Sequence, residues 1–176
     1  MNLEKVIEDT MVSLMKENTI EDITVNMVLE KADVSKASFY RHYIDKYDLV
    51  NKIFDHLIPA EISQVGKTIK WSEFMLVFFD VFGKNREFLK EGYHSDDYNN
   101  LRSHSEEFFR NLIFAVIKNQ NVDTSQKSII MSANFFSVSL NSFMVDWVRK
   151  GGDDTIYNLV QRMHEAVPHN IYPYFN

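Results

Sequence analysis

Cysteine is missing from the 176 residues, which excludes disulfides, thiolate metal sites and thiol nucleophiles. Proline and glycine are scarce, at three and five, and long stretches carry neither. Sheet proteins of this size need more turn punctuation, so the shortage favours helices. No continuous run approaches the ~18 apolar residues of a bilayer span. The opening MNLEKVIEDT is charged and amphipathic, without the apolar core of a secretion signal. The expectation is a soluble, cytoplasmic protein with no membrane partner. At 45% hydrophobic residues the chain can bury one good core, with room for a small satellite domain.

Positive charge is also in short supply. Nineteen Lys and Arg face 25 Asp and Glu, for a formal charge of −6. Such a chain does not bind nucleic acid or anionic membrane indiscriminately, and a nucleic-acid binder of this composition needs local basic groups. The first fifty residues hold six basic side chains against ten acidic ones. Between residues 36 and 46 the balance reverses: Lys36, Arg41 and Lys46 stand against Asp45, with His42 able to add charge.

What is present is helical periodicity. Leu3, Val6, Ile7, Met11, Leu14 and Met15 fall on one stripe, and Glu4, Glu8, Asp9 and Lys16 on other faces. Thr24 is placed to cap a short second helix that turns Val25, Val28 and Leu29 inward. Ala32-Asp33 makes a turn in which Asp tolerates the left-handed conformation. Ser35 caps a third helix through about Tyr43. Asp45 caps a fourth, with Tyr47, Val50, Phe54 and Leu57 on one side, and Pro59 ends it or begins the next element. Further helices are expected at about 71–83, 86–92, 103–119, 124–150 and 154–167, the long one stopped by Gly151-Gly152. The fold class is all-α: an N-terminal three-helix helix-turn-helix domain over 1–46 and a C-terminal helical effector-binding and dimerisation domain over 47–176.

The stretch VSKASFYRHY, residues 34–43, carries the function. On a helical wheel Phe39 and Tyr43 share a face that packs inward. Ala37, Ser38 and Arg41 point nearly opposite, flanked by Lys36, Tyr40 and His42. Two short helices joined by a tight turn, the second exposing small and basic residues, make a helix-turn-helix. Small residues let the helix backbone approach base edges in the major groove. Arg and Lys can donate to guanine O6 and N7, and Tyr and His to phosphate. The amides at the start of the fourth helix, with Lys46 beside them, offer a second phosphate site. The bland alternative is an ordinary solvated helix in a bundle; the spacing together with the charge reversal favours the reading helix.

Ile23-Thr24-Val25, Val28, Ala32, Val34-Ser35, Ser38-Phe39-Tyr40, Tyr43, Lys46 and Leu49 resemble the N-terminal signature of the TetR-type transcriptional regulators. The similarity covers about 50 residues. Leu29 stands where that family usually has alanine, and Asp33 where it prefers glycine. The resemblance implies a homodimer bound to double-stranded DNA at a palindromic operator, with contacts from Thr24, Lys36, Ala37, Ser38, Tyr40, His42 and Lys46. Ser35 and Arg41 join that candidate set from their place on the third helix. It also implies a C-terminal effector pocket and a dimer seam built from the last two long helices, 124–150 and 154–167. FMVDWVRKGG is similar to C-terminal segments of the subset that includes the dihydroxyacetone-kinase operon type, which points to a protein coregulator in place of, or beside, a small-molecule effector.

For the pocket, the aromatics Phe78, Phe82, Phe109 and Phe114 suit an apolar cavity, with filled core the favoured reading for any one of them. Asn134, Ser137 and Asn141 form a polar stripe on an otherwise apolar helix; they face an effector, a symmetry mate or a structural network. Asp80 shares a side with Glu73, Lys84 and Glu87 and reads as solvated. Tyr93–Tyr98 reads as a polar loop with no metal-ligand pair, and His164, Glu165 and His169 as surface groups. No phosphate loop, nucleophile elbow or carboxylate pair is present; no enzyme activity, metal or cofactor is expected. The function expected is sequence-specific transcriptional regulation, as a repressor released by a small-molecule effector. The alternatives are an activator working with a protein coregulator, or a helical interaction module that no longer reads DNA.

Overall fold

A computed structural model of the chain describes residues 2–151 and 155–176. Among these residues the elements are α1 (Leu3–Leu14), α2 (Val25–Ala32), α3 (Lys36–His42), α4 (Lys46–Leu57), α5 (Trp71–Lys84), α6 (Arg86–Gly92), α7 (Leu101–Asn119), α8 (Lys127–Lys150) and α9 (Ile156–Glu165), with 3-10 turns at Ala60–Gln64 and Tyr172–Phe175. The fold is all-α; the one extended pairing among the described residues is an isolated bridge between Val65 and Ile69. The chain packs as two compact units, residues 1–57 with 85–104 and residues 58–84 with 105–176.

In the first unit α2, α3 and α4 each begin on a side-chain cap. Thr24 Oγ1 accepts from Met27 N at 3.2 Å, Ser35 Oγ from Ser38 N at 3.1 Å, and Asp45 Oδ1 from Tyr47 N and Asp48 N at 2.8 and 2.7 Å. Helix α1 buries Ile7, Met11 and Leu14, one face at three- and four-residue spacing. Helix α4 buries Leu49, Val50, Ile53 and Phe54, and with them Asn51, whose Nδ2 donates to Asn99 O at 3.1 Å. Gly92 lets α6 come close: a Cβ there would stand 2.7 Å from Leu101 Cδ2 and 3.3 Å from Val50 Cγ1. Helix α4 ends at Leu57, and Pro59 starts the first 3-10 turn.

The second unit is built on rings. Phe78 lies fully buried among Phe74, Phe82, Phe108 and Phe109, with centroids 5.8, 3.9, 6.0 and 5.6 Å away. Trp71 meets Phe175 edge-on at 5.0 Å, and Phe79 meets Trp147 at 5.1 Å. Helix α8 has the length and average apolarity of a membrane span, a property that its interrupted apolar runs do not reveal. Its inner face is buried against its own chain, from Ile129 and Ala133 to Val145 and Val148, as in a core helix. It starts at Lys127, three residues later than expected, because Asp123 Oδ1 takes Ser125 N at 2.9 Å in a local turn. Gly151, at φ 69°, closes it; Gly152, expected to share in the stop, lies outside the described residues. Helix α9 starts after the Thr155 cap, whose Oγ1 accepts from Asn158 N at 3.2 Å.

Asp33 closes α2 in the left-handed region, at φ 53° and ψ 49°. It places a carboxylate at the negative end of that helix. Asp33→Gly should therefore raise stability by about 0.5–1 kcal/mol, strain relief and charge removal together exceeding the extra entropy of the unfolded chain. Ser35→Ala should lower it by about 1 kcal/mol through loss of the cap. Urea unfolding followed by helical ellipticity checks both.

Candidate nucleic-acid interface

Helix α3 has a closed back and an open front. Phe39 is wholly buried and Tyr43, the residue that ends the helix, nearly so. Their rings lie 5.4 Å apart, and Tyr43 OH donates to Glu8 Oε1 on α1 at 3.1 Å. Burial first, and the Glu8 charge second, push the Tyr43 phenol far above its ordinary value, so it stays a neutral donor at any physiological pH. On the front, Thr24, Ser35, Lys36, Ala37, Tyr40 and Arg41 are exposed, while Ser38 and His42 are half-buried. Tyr40 stands edge-on to Phe39 at 5.3 Å, and Lys36 Nζ lies 5.9 Å from the Tyr40 ring centre. The exposed groups of α3 thus include guanidinium, ammonium and phenol donors beside a small side chain, Ala37.

Three details differ from the expected arrangement. His42 Nδ1 lies 2.9 Å from Glu4 Oε1, so its ring is tied to α1. Lys46 Nζ donates to three backbone carbonyls, Ile20 O, Glu21 O and Ile23 O, at 2.8, 3.0 and 2.9 Å. The amides of Tyr47 and Asp48, expected to help form a phosphate site, already donate to the Asp45 cap, and Ile44 N donates to Asp48 Oδ2 at 2.9 Å. Sequence reasoning missed Ile44, which is 77% exposed immediately after α3. A helical wheel that ends at Tyr43 could not place it. It missed Glu4 and Glu8 as well, whose partners lie 35 to 48 residues away.

The residues expected to line an effector pocket divide in two. Phe78, Phe82 and Phe109 are fully buried in the ring cluster and fill the space themselves. Ser137 and Asn141 are buried and Asn134 half-buried. Asn141 Oδ1 accepts from the buried Ser105 Oγ on α7 at 2.7 Å, and Ser137 Oγ donates to Asn134 O at 2.8 Å. The Ser137 hydroxyl and the Asn141 amide oxygen thus have partners within their own chain. Open space of about 960 Å³ lies elsewhere, in a groove lined by Phe135, Phe143 and Trp147 of α8 and Leu159 and Met163 of α9.

Asp80 is exposed and pairs with Lys84 at 2.6 Å, and Tyr98 in the polar loop is 98% exposed. His164 is a correction: it is half-buried, its ring 4.8 Å from that of Tyr172. Among the described residues no group of three or more His, Asp or Glu could hold a metal ion.

Residues 9–53 match the family model described as bacterial regulatory proteins of the tetR family, and residues 70–169, more than half the chain, match the one described as a transcriptional regulator C-terminal region. No curated protein sequence matches significantly. Among solved structures, the dihydroxyacetone kinase operon activator DhaS aligns over 99% of both chains with a TM-score of 0.69 at 15% identity. The Listeria innocua protein Lin0861 covers 92% of this chain and 89% of its own, at 0.67 and 16%. The fatty acid degradation regulator FadR from Bacillus halodurans covers 95% of each, at 0.58 and 15%. At these identities the likeness is one of fold, and the family rests on the two sequence matches. A reading head built as α2-turn-α3, matched by one model and followed by a helical C-terminal region matched by the other, places this chain in the TetR family of DNA-binding transcriptional regulators.

Proposed function

We propose that the protein is a cytoplasmic homodimeric repressor that grips a palindromic operator with two copies of α3 and releases it when a small-molecule effector binds. The observation that carries this reading is the division of α3 into a buried aromatic back, Phe39 and Tyr43, and an exposed front bearing Lys36, Ala37, Tyr40 and Arg41. Thr24, Ser35, Ser38 and His42 border that front. Function divides near Lys46, residues 1–46 reading DNA and 47–176 sensing and pairing, although α4 packs in the same unit as the reading head. Two α3 helices about 34–36 Å apart enter successive major grooves. An effector that prefers another spacing weakens binding through a coupling of about 1–3 kcal/mol. Seating it among Phe78, Phe82, Phe109, Asn134, Ser137 and Asn141 requires the packed rings to part.

The outer surfaces of α8 and α9 support the dimer. Met131 and Phe135 are 71% and 73% exposed, and Val138, Phe143 and Tyr157 also face outward. Large apolar side chains at helical spacing beside an apolar groove suit a four-helix seam with a second copy. A second reading, activation with a protein coregulator, is favoured by one observation: the DhaS structure that aligns over 99% of this chain is, by its name, an operon activator.

In gel-shift titration against the region upstream of the protein's own gene, Arg41→Ala should cost about 1–3 kcal/mol by removing its hydrogen bonds to a base edge, with Tyr40→Phe a smaller loss. Binding unchanged in both removes the assigned contacts, and no specific binding by the wild type returns the interaction-module reading. Phe135→Asp should raise the dimer dissociation constant at least about tenfold with helical content unchanged, read by sedimentation equilibrium and circular dichroism.

A further inference from the structure

We infer that Lys46 is a positioning residue of the reading head and not a phosphate contact. The inference rests on the proposed reading of α3 and changes the role of one of its assigned residues. A lysine ammonium carries three N–H donors and no acceptor. All three are matched here, at 2.8, 3.0 and 2.9 Å, by the carbonyls of Ile20, Glu21 and Ile23, each within ordinary hydrogen-bond length. These carbonyls belong to the turn between α1 and α2 and lie outside both helices. A phosphate could reach the ammonium only by displacing a partner.

What Lys46 grips is the approach to α2. Ile23 immediately precedes the Thr24 cap, so the start of α4 is tied to the start of α2, and α2 delivers the turn into α3. Neighbours hold the same turn from other sides. Tyr47 OH donates to Glu21 Oε2 at 3.0 Å, and Ile20 N donates to Glu91 Oε1 at 2.7 Å. The Ile20 peptide is thus held at its N–H by a carboxylate and at its carbonyl by an ammonium. Three diverging donors on a point charge suit three converging carbonyls. The planar fork of arginine does not, whereas it suits phosphate well.

The test uses the full chain with Lys46→Met, Lys46→Arg and a stability control, Ile7→Val or Ile7→Ala, whichever matches the unfolding midpoint of Lys46→Met. The DNA probe is a duplex from the region upstream of the protein's own gene, titrated at several salt concentrations. Both Lys46 variants should bind about tenfold more weakly, consistent with loss of hydrogen bonds from a charged donor, with the slope of log affinity on log salt unchanged. The control should keep wild-type affinity. A slope shallower by about 1 for each phosphate no longer neutralised, or wild-type affinity in Lys46→Arg, overturns the inference in favour of a direct phosphate partner. Equal weakening in the control overturns it in favour of general destabilisation. Amide hydrogen exchange without DNA separates this from the proposed function. Faster exchange across residues 19–24 in Lys46→Met supports the anchor whether or not the duplex binds, and unchanged protection overturns it.

Discussion

The burial of Phe39 and Tyr43 is the interaction on which the reading head depends. Helix α3 is seven residues long, well short of the ~12–15 at which an isolated helix becomes even marginal in water. It therefore exists because its two rings are held: Phe39 by complete burial, and Tyr43 by burial, a hydrogen bond to Glu8 on α1 and the Lys52 ammonium 5.1 Å from its ring. Each such ring contributes roughly 1.5–3 kcal/mol when taken out of water. That anchorage lets the opposite face carry Ala37 and Arg41, which add nothing to the core, and still keep a fixed orientation. The caps at Thr24, Ser35 and Asp45 set where each helix starts; the rings decide how α3 is held.

This economy extends to charge. Of the cations that make residues 36–46 locally basic, Lys46 is committed to turn carbonyls, and the His42 ring is tied to Glu4. Lys36 and Arg41 remain as the exposed cations of the helix front. Two exposed cations on the front of α3, on a chain of net charge −6, make non-specific attraction to a duplex weak and its salt dependence shallow. In the proposed homodimer, affinity then comes from base contacts and from the simultaneous seating of two heads. On that scheme the acidity of the chain belongs to the mechanism, because it penalises a single head on the wrong sequence.

What was legible in the sequence was local. Caps act over two or three residues, so Thr24, Ser35 and Asp45 could be assigned from spacing, as could the left-handed turn at Asp33. Lys46 could not: its partners lie 23 to 26 residues earlier, and a lysine at a helix start looks the same whether it points at phosphate or at its own backbone. The aromatic richness of the second half was also visible, but composition does not separate a cavity from a core. Phe78 and Phe82, four residues apart on α5, stack at 3.9 Å, and side-chain volume alone decides that no room is left between them. The polar stripe on α8 was seen, while its partner Ser105, 36 residues before Asn141, was not.

Helix α8 combines these constraints in an unusual distribution. Ordinary amphipathic helices turn polar groups out and apolar ones in. Here Ser137 and Asn141 are inside, while Met131, Phe135, Val138 and Phe143 are outside. The inner pair is satisfied within the chain, and the Ser105–Asn141 hydrogen bond, 2.7 Å long, would be broken by a slip of α7 against α8. A directional hydrogen bond between buried side chains favours one register of α7 against α8. With the register fixed from within, the outer apolar residues are presented as one pattern in every copy of the chain. On the proposed scheme that repeatability is what a self-complementary seam needs, since an isologous interface pairs each patch with itself. Two α3 helices can be held one helical turn of DNA apart only if the seam has one register.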